Sequence, residues 1–212
     1  MVKNIIFDFG GVIYDINFNF TYEKLRDLGI YDTENLSSEL SHQYLFEHLE
    51  KGTITPGKFR NEVRKFSGLP LKDDQIDEAW NALLIGFRPD RIRLIEMVKA
   101  HYNIFLLSNS NIIHYQKYRQ ELEQQFGYKQ FDELFIKAYF SFELGLIKPD
   151  HRIFKMVMDD QKLKPEETIF IDDTEIHTKS AAKTGLQVRH LRLDQQEDII
   201  DLFDHKGVLK PG

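Results

Sequence analysis

The stretch KNIIFDFGGVIYD, from Lys3 to Asp15, begins as an apolar run and then meets an aspartate and two glycines. The apolar residues are rich in β-forming types, which predicts a short buried strand that ends at Asp8. Gly10 and Gly11 allow the backbone after that strand to turn sharply. A carboxylate at the end of a buried strand points to chemistry, although a solvated loop or a helix cap would give the same local pattern.

Later apolar runs predict further strands of the same kind. They lie at Tyr102 to Ser110, at KAYFS ending with Ser141, at Thr168 to Asp173 and, more weakly, at Leu186 to Arg192. Helical patterns fall between and after them, at 90–101, 112–126, 150–161, 176–184 and about 195–203. Strands that alternate with helices predict an α/β fold, a doubly wound, Rossmann-like parallel sheet covered on both faces.

The interval from about Asn17 to Phe87 breaks this alternation. It contains several amphipathic helical segments and no convincing strand, and Trp80, Phe46 and Phe59 fall where they would pack those helices together. We therefore predict an α/β catalytic core of residues 1–15 and 88–212. A small helical cap, residues 16–87, would be inserted after the first strand.

Composition excludes several classes of function. The chain of 212 residues has a net charge of -6 with scattered Lys and Arg, which disfavours a nucleic-acid partner. It has no cysteine, which excludes disulfides, thiolate metal sites and cysteine nucleophiles. No window approaches the roughly 18 apolar residues of a spanning helix, so we expect no membrane partner. A cytoplasmic monomer or weak homodimer is the expectation.

Polar residues follow three of the predicted strands. Asp8 ends the first, Ser108 and Asn109 end another, and Asp172 and Asp173 end a third. In open parallel sheets ligands bind beyond the carboxyl ends of the strands, so these side chains should meet at one rim. Adjacent carboxylates repel each other without a cation, and Mg²⁺ suits an oxygen-rich site that also receives a phosphate.

Cationic and donor groups for a phosphate are also present. Lys148, held before Pro149, offers a point charge, and Ser108 offers a hydroxyl donor. The turn at Gly10 and Gly11 can point backbone N–H groups at an anion. Asp8 would then act as a nucleophile, because a carboxylate that attacks phosphorus forms an acyl-phosphate that water later hydrolyses.

The order of these motifs resembles that of the haloacid dehalogenase superfamily. DxGxV after the first strand, SN after a later strand, KP before a helix and a terminal DD all occur here, and the resemblance covers nearly the whole chain. Segments such as FEHLEKGTITPGKF look like the helical-cap subgroup that contains bacterial glucose-1-phosphate phosphatases and the phosphatase domain of soluble epoxide hydrolases. The resemblance implies a magnesium-dependent phosphohydrolase of small phosphorylated metabolites, with a sugar phosphate as the favoured substrate.

The same resemblance implies a role for each matching residue. Asp8 would be the nucleophile. The metal would be held by Asp8, the Gly10 carbonyl and Asp173, with Asp172 as a ligand or its support. The phosphoryl group would be held by Ser108, Asn109 and Lys148, together with the Gly11 turn.

One departure leaves alternatives open. Most phosphatases of this family carry a second aspartate two residues after the nucleophile as general acid and base, whereas this chain has Gly10. Asp15, Glu47 and His48 are candidates to replace it. A 2-haloacid dehalogenase would use the same nucleophile without magnesium, and the paired aspartates argue against that reading. A catalytically weak phosphate-binding or regulatory protein would fit Gly10.

Overall fold

The computed structural model describes residues 1–31 and 40–211 and places a five-stranded parallel sheet at the centre. The strands of the chain are β1 (Asn4–Phe7), β2 (Tyr14–Ile16), β3 (Leu84–Phe87), β4 (Asn103–Ser108), β5 (Lys137–Phe140), β6 (Thr168–Asp172) and β7 (Gln187–His190). The sheet has the order β5-β4-β1-β6-β7, so β1 lies in the middle. The predicted α/β fold with a parallel sheet is confirmed.

Helices cover the sheet and form the segment inserted after β2. They are α1 (Phe18–Asp27), α2 (Leu40–Glu50), α3 (Pro56–Ser67), α4 (Asp73–Asn81), α5 (Pro89–Val98), α6 (Ile112–Phe126), α7 (Ser141–Leu144), α8 (His151–Gln161) and α9 (Glu175–Ala182). Ile5 and Phe7 of β1 point into one hydrophobic cluster, and Ile6 between them points into another. Because strand side chains alternate, these two clusters lie on opposite faces of the sheet.

Helices α1 to α4 share a third hydrophobic cluster. Phe46 stacks on Trp80 at 4.7 Å between ring centroids, and Phe59 packs against both, as the sequence predicted. The boundary between core and cap stays a prediction, and residues 32–39 of the predicted cap lie outside the described residues. Within the described ranges, no helix is both long and apolar enough to cross a membrane.

Two local expectations were wrong. The helix predicted around 195–203 is instead two short 3-10 turns, Leu193–Gln195 and Ile199–Leu202. Gln196 adopts a left-handed conformation, with φ of 61°, and Asp198 starts the second turn by accepting a hydrogen bond from the backbone of Ile200. Strand β3 lies in the interval predicted to have none. It pairs only with β2, in a short antiparallel ribbon beside the main sheet.

Candidate active site

The strand order brings the predicted site residues together. Strand β1 lies between β4 and β6, so Asp8, Ser108 and Asp172 emerge side by side at the carboxyl edge of the sheet. Asp8, Asp172 and Asp173 each present a carboxylate oxygen, and these oxygens lie within 4.8 Å of one another. Asp8 is 7% exposed and Asp172 is fully buried, so the three charges meet largely out of water.

Lys148 supplies the positive charge at the centre of this cluster. Its Nζ donates to Asp8 Oδ1 at 2.6 Å and to Asp172 Oδ2 at 2.7 Å, and the residue is 2% exposed. The backbone of Lys148 is fixed by Asn109, whose Oδ1 accepts from the lysine N–H and whose Nδ2 donates to the lysine carbonyl. Asn109 thus holds Lys148 in position, a role that the sequence did not suggest.

The two adjacent aspartates differ in what they contact. Both oxygens of Asp172 are engaged, because Oδ1 accepts from the Thr174 N–H at 2.7 Å and Oδ2 accepts from Lys148. His177 Nδ1 lies 3.2 Å from each of them. Asp173 Oδ1 has one long contact, 3.3 Å from Thr174 Oγ1. Asp173 is therefore the better placed of the two to bind a cation.

Gly10 and Gly11, in the turn after β1, each lie where a side chain would clash, but with different neighbours. Gly11 has φ of +75°, and a Cβ there would come within 2.4 Å of Asp173 Oδ2, so only glycine leaves room for that carboxylate. The Gly11 N–H donates to the Tyr14 carbonyl at 2.9 Å, and the predicted contact of this amide with phosphate stays a prediction. At Gly10, a Cβ would come within 2.9 Å of Ile16 Cδ1.

The electrostatics of the cluster favour a bound cation. Burial and the charges of Asp172 and Asp173 raise the pKa of Asp8 to about 7, against the opposing effect of Lys148. Burial and Asp172 also raise the pKa of Asp173. Burial works to raise the pKa of Asp172 as well, yet Lys148 and His177 hold it well below its usual range. One lysine does not offset three carboxylates, and the donor set fits a hard divalent ion.

The three candidates for a replacement acid are engaged elsewhere. Asp15 accepts from Arg91 at 2.8 Å, in a network that includes Asp198. Glu47 forms an ion pair with Lys51 on its own helix. His48 Nδ1 lies 2.6 Å from Thr53 Oγ1. None of the three candidates lines the cavity next to the carboxylate cluster.

That cavity, of about 90 Å³, lies between the inserted helices and the sheet edge. Gly10, Ser108 and Asn109 line it from the sheet edge, Glu50 and Trp80 line it from α2 and α4, and His114 lines it from α6. Its volume equals about three times the share of one water molecule in the liquid. It therefore has room for the part of a substrate that lies next to the carboxylate cluster.

Trp80 and His114 add two polar rings to the helical side of this cavity, next to the carboxyl group of Glu50. Their rings stack at 5.2 Å, and His114 Nδ1 lies 2.9 Å from Asn81 Oδ1. Burial lowers the pKa of His114 to about 3, so the ring is neutral, with Nδ1 donating to Asn81 and Nε2 left as an acceptor. Within the described part of the chain, the buried Trp80 Nε1 has no hydrogen-bond partner.

A family model for haloacid dehalogenase-like hydrolases matches residues 2–185. The chain belongs to this family. The motif order that suggested it, from the aspartate after β1 to the aspartate pair after β6, is the order in which the structure assembles the site, and the family prediction is confirmed.

Relatives within the family include named phosphatases. The chain is 30% identical to D-ribitol-5-phosphate phosphatase of Bacteroides thetaiotaomicron over 82% of this chain and 84% of the relative. It is 27% identical to the sesquiterpene phosphatase astK of Aspergillus oryzae over 89% of each protein. A crystal structure of a family enzyme from B. thetaiotaomicron, in complex with magnesium and inorganic phosphate, superposes with a TM-score of 0.86 at 33% identity, covering 96% of this chain and all of that one.

Proposed function

We propose that this protein is a magnesium-dependent phosphoric monoester hydrolase of small phosphorylated metabolites. The observation that carries the proposal is the buried cluster at the sheet edge, in which Lys148 joins Asp8 to Asp172 and Asp173 lies beside them. A scaffold without catalytic function has no physical need for three mutually repelling carboxylates around one lysine. The magnesium and phosphate bound by the structural relative support the same reading.

Asp8, the Gly10 carbonyl and Asp173 would hold the magnesium ion. Asp172 would support the site from behind, since its oxygens are already engaged by Lys148, Thr174 and His177. When bound, the ion neutralises charge on the phosphoryl oxygens and on the carboxylates around it.

The residues of the chain would divide the reaction between them. Asp8 attacks phosphorus, the bond to the leaving-group oxygen breaks, and an aspartyl-phosphate forms. The Lys148 ammonium group turns from the carboxylates to hydrogen-bond one phosphoryl oxygen, and the Ser108 hydroxyl donates to a second one. Asn109 keeps the lysine backbone in place throughout. Water then cleaves the bond between Asp8 and phosphorus and releases inorganic phosphate.

A hydroxylated leaving group, such as a sugar or polyol, is the favoured substrate. Trp80 and His114 both line the cavity, and within the described residues the Trp80 Nε1–H has no partner. A hydroxyl group bound beside them could accept from that N–H and donate to the free nitrogen of the neutral His114 ring. Leaving a buried N–H without a partner costs about 1–3 kcal/mol, which a hydroxylated ligand would recover and a hydrocarbon would not. The ribitol-phosphate phosphatase among the relatives is consistent with this class, whereas the sesquiterpene phosphatase is named for a hydrocarbon one.

The first test measures phosphate release by the purified protein from a panel of sugar phosphates, ribitol 5-phosphate and a generic aryl phosphate, with magnesium or with EDTA. Wild type is compared with Asp8→Asn and with Asp159→Asn, a matched change at an exposed position of α8. We expect magnesium-dependent release that is lost in Asp8→Asn and kept in Asp159→Asn. Circular dichroism of each variant shows whether it is folded.

Two other outcomes would point elsewhere. Folded wild type that binds magnesium and phosphate but releases nothing from any substrate would favour the phosphate-binding or regulatory reading. Halide release from a 2-haloacid, insensitive to EDTA, would favour a dehalogenase. The cytoplasmic location and the monomer or weak homodimer stay predictions, and gel filtration tests the second of these.

A further inference from the structure

The proposed hydrolase lacks a proton donor at the usual place. The position two residues after Asp8 is Gly10, and the space that a side chain would enter there is filled by Ile16 of β2, whose Cδ1 lies 2.9 Å from a Cβ at that position. An alkoxide is a poor leaving group without a proton. A different carboxyl group must reach the leaving-group oxygen, and it has to come from another wall of the cavity.

Glu50 is the carboxyl-bearing residue among those that line this cavity. It is the last residue of α2, is partly buried and faces the same space as Gly10 and Ser108. Gly10 lies two residues after Asp8, and Ser108 ends the strand next to β1, so Glu50 faces the sheet edge at which Asp8 lies. The sequence favours its neighbours Glu47 and His48 over Glu50, because the end of a helix gives no local signal of the direction in which it docks.

The backbone at Glu50 is fastened to the sheet edge. Ser141 is fully buried, and its Oγ lies 2.7 Å from the Glu50 carbonyl oxygen and accepts from the Ser110 N–H at 2.9 Å. Ser110 belongs to the loop after β4 that also carries Ser108. One hydroxyl group thus links the end of α2 to the loop that would bind phosphate, which fixes where the Glu50 side chain starts.

A close approach two residues later strengthens this attachment. Gly52 has φ of +64°, and a Cβ there would come within 2.1 Å of the Phe142 carbonyl oxygen. Only glycine allows the chain after α2 to lie so near α7. The Glu50 to Gly52 turn is therefore held against the sheet edge on both sides of Lys51.

We propose that Glu50 is the general acid and base of the proposed hydrolase, in place of the aspartate that Gly10 omits. In the first step Asp8 attacks phosphorus, the bond from phosphorus to the leaving oxygen breaks, and that oxygen takes the proton of the Glu50 carboxyl group. In the second step the Glu50 carboxylate takes a proton from water, the water oxygen attacks phosphorus, and the bond to Asp8 breaks. Inorganic phosphate leaves, Asp8 is again a carboxylate and Glu50 is again protonated.

The surroundings of Glu50 suit both steps. Burial, followed by the negative charge of Glu47, raises the pKa of Glu50 to about 7, while Lys148 on the sheet side works against this rise. His114, which lines the cavity from α6, is neutral and adds no charge. A group with a pKa near the working pH serves well both as acid and as base.

The decisive variant is Glu50→Gln, which keeps the shape of the side chain and removes its proton chemistry. With a sugar phosphate we expect kcat to fall by about 10²–10⁴-fold, the usual contribution of a general acid or base. With p-nitrophenyl phosphate, whose leaving group departs without a proton, the first step should be nearly unchanged and the second slow. Stopped-flow measurement should then show a burst of one nitrophenolate per active site, and the aspartyl-phosphate should accumulate.

Glu47→Gln is the matched control, one turn earlier on the same helix with a side chain that is 38% exposed. It should keep the wild-type kcat below neutral pH and show no burst. Because the Glu47 charge raises the pKa of Glu50, the alkaline limb of the sugar-phosphate pH profile should move to lower pH in this variant. In Glu50→Gln that limb should disappear.

The inference rests on the proposed function, and the two can fail separately. If wild type releases phosphate and Asp8→Asn does not, yet Glu50→Gln keeps kcat on sugar phosphates, Glu50 has no acid role. An equal loss on both substrates without a burst also overturns the inference, because it indicates a structural defect. If folded wild type hydrolyses no phosphate ester, the proposed function and this inference fall together.

Discussion

Replacing the lysine at the centre of the carboxylate cluster should destabilise the metal-free protein strongly. Lys148→Met keeps an unbranched chain of similar reach and removes the ammonium group, which donates at 2.6 and 2.7 Å to Asp8 and Asp172. A hydrogen bond to a charged group contributes about 1.5–3 kcal/mol net, so the two bonds amount to about 3–6 kcal/mol. Removing one partner of a buried ion pair costs a similar amount, about 3–5 kcal/mol.

We therefore expect the free energy of unfolding to fall by about 4 kcal/mol in Lys148→Met. The measurement is urea unfolding in EDTA at mildly alkaline pH, where the carboxylates are ionised, followed by circular dichroism. Lys155→Met, an exposed lysine on α8, is the matched control and should change the free energy by less than about 0.5 kcal/mol. Neither substitution should change the m-value, because the surface exposed on unfolding stays the same.

A second substitution, Asp8→Asn in the Lys148→Met background, tests whether repulsion between carboxylates causes the loss of stability. In Lys148→Met, Asp8 and Asp172 face each other without a cation between them, so adding Asp8→Asn should raise stability by removing that repulsion. A loss below about 1 kcal/mol for Lys148→Met alone would show that Lys148 does not hold the cluster together, since the loss would fall short of even one charged hydrogen bond. Further destabilisation by Asp8→Asn in the Lys148→Met background would show that repulsion between the carboxylates does not cause the loss.

Three further outcomes test the site and its surroundings. Gly11→Ala should weaken magnesium binding about 10–100-fold in calorimetry, since its Cβ would displace Asp173; Gly127→Ala, with φ of +80° and nothing within 4 Å, should leave magnesium binding unchanged, and equal effects would contradict the argument. Magnesium at a hundred times the dissociation constant of the wild type should raise the free energy of unfolding of the wild type by about 2.7 kcal/mol. The same magnesium concentration should raise that of Asp173→Asn by less, and an equal rise would show that Asp173 does not bind the ion. Burial lowers the pKa of His114 to about 3 in the folded protein, whereas in the unfolded chain it is 6.5. As pH falls below 6.5, only the unfolded chain binds a proton at His114. The free energy of unfolding is therefore highest above pH 6.5 and decreases below it. Between about pH 7 and pH 5 this loss is about 2 kcal/mol in urea unfolding, and His114→Gln should lack it; the same pH slope in both proteins would disprove the assignment.

The sequence was informative wherever a strand ends. Each central strand is a short apolar run followed at once by its polar residue, so the position of Asp8, Ser108 and Asp172 at one sheet edge followed from the run lengths and the parallel topology. Lys148 was harder to place, because a lysine before a proline is common. Its position depends on contacts with Asn109, 39 residues earlier in the chain, which no local pattern contains.

The residues that line the cavity from the helices could not be predicted from the sequence for the same reason. Glu50, Trp80 and His114 come from three different helices, and only the way in which those helices dock brings them together. The two local errors have local causes. Gln196 interrupts a run whose apolar spacing looked helical, and β3 is too short, with a glycine inside it, to stand out as a strand.

The central place of β1 has a consequence for how the chain reaches its native state. Asn4 pairs with Asn103 and Thr168, and its side-chain hydrogen bonds to them span 99 and 164 residues. Such non-local pairing is slow, and during synthesis β1 leaves the ribosome more than 150 residues before its neighbour β6. A nascent chain that ends before β6 lacks Asp172, so it cannot assemble the cluster of Asp8, Lys148 and Asp172.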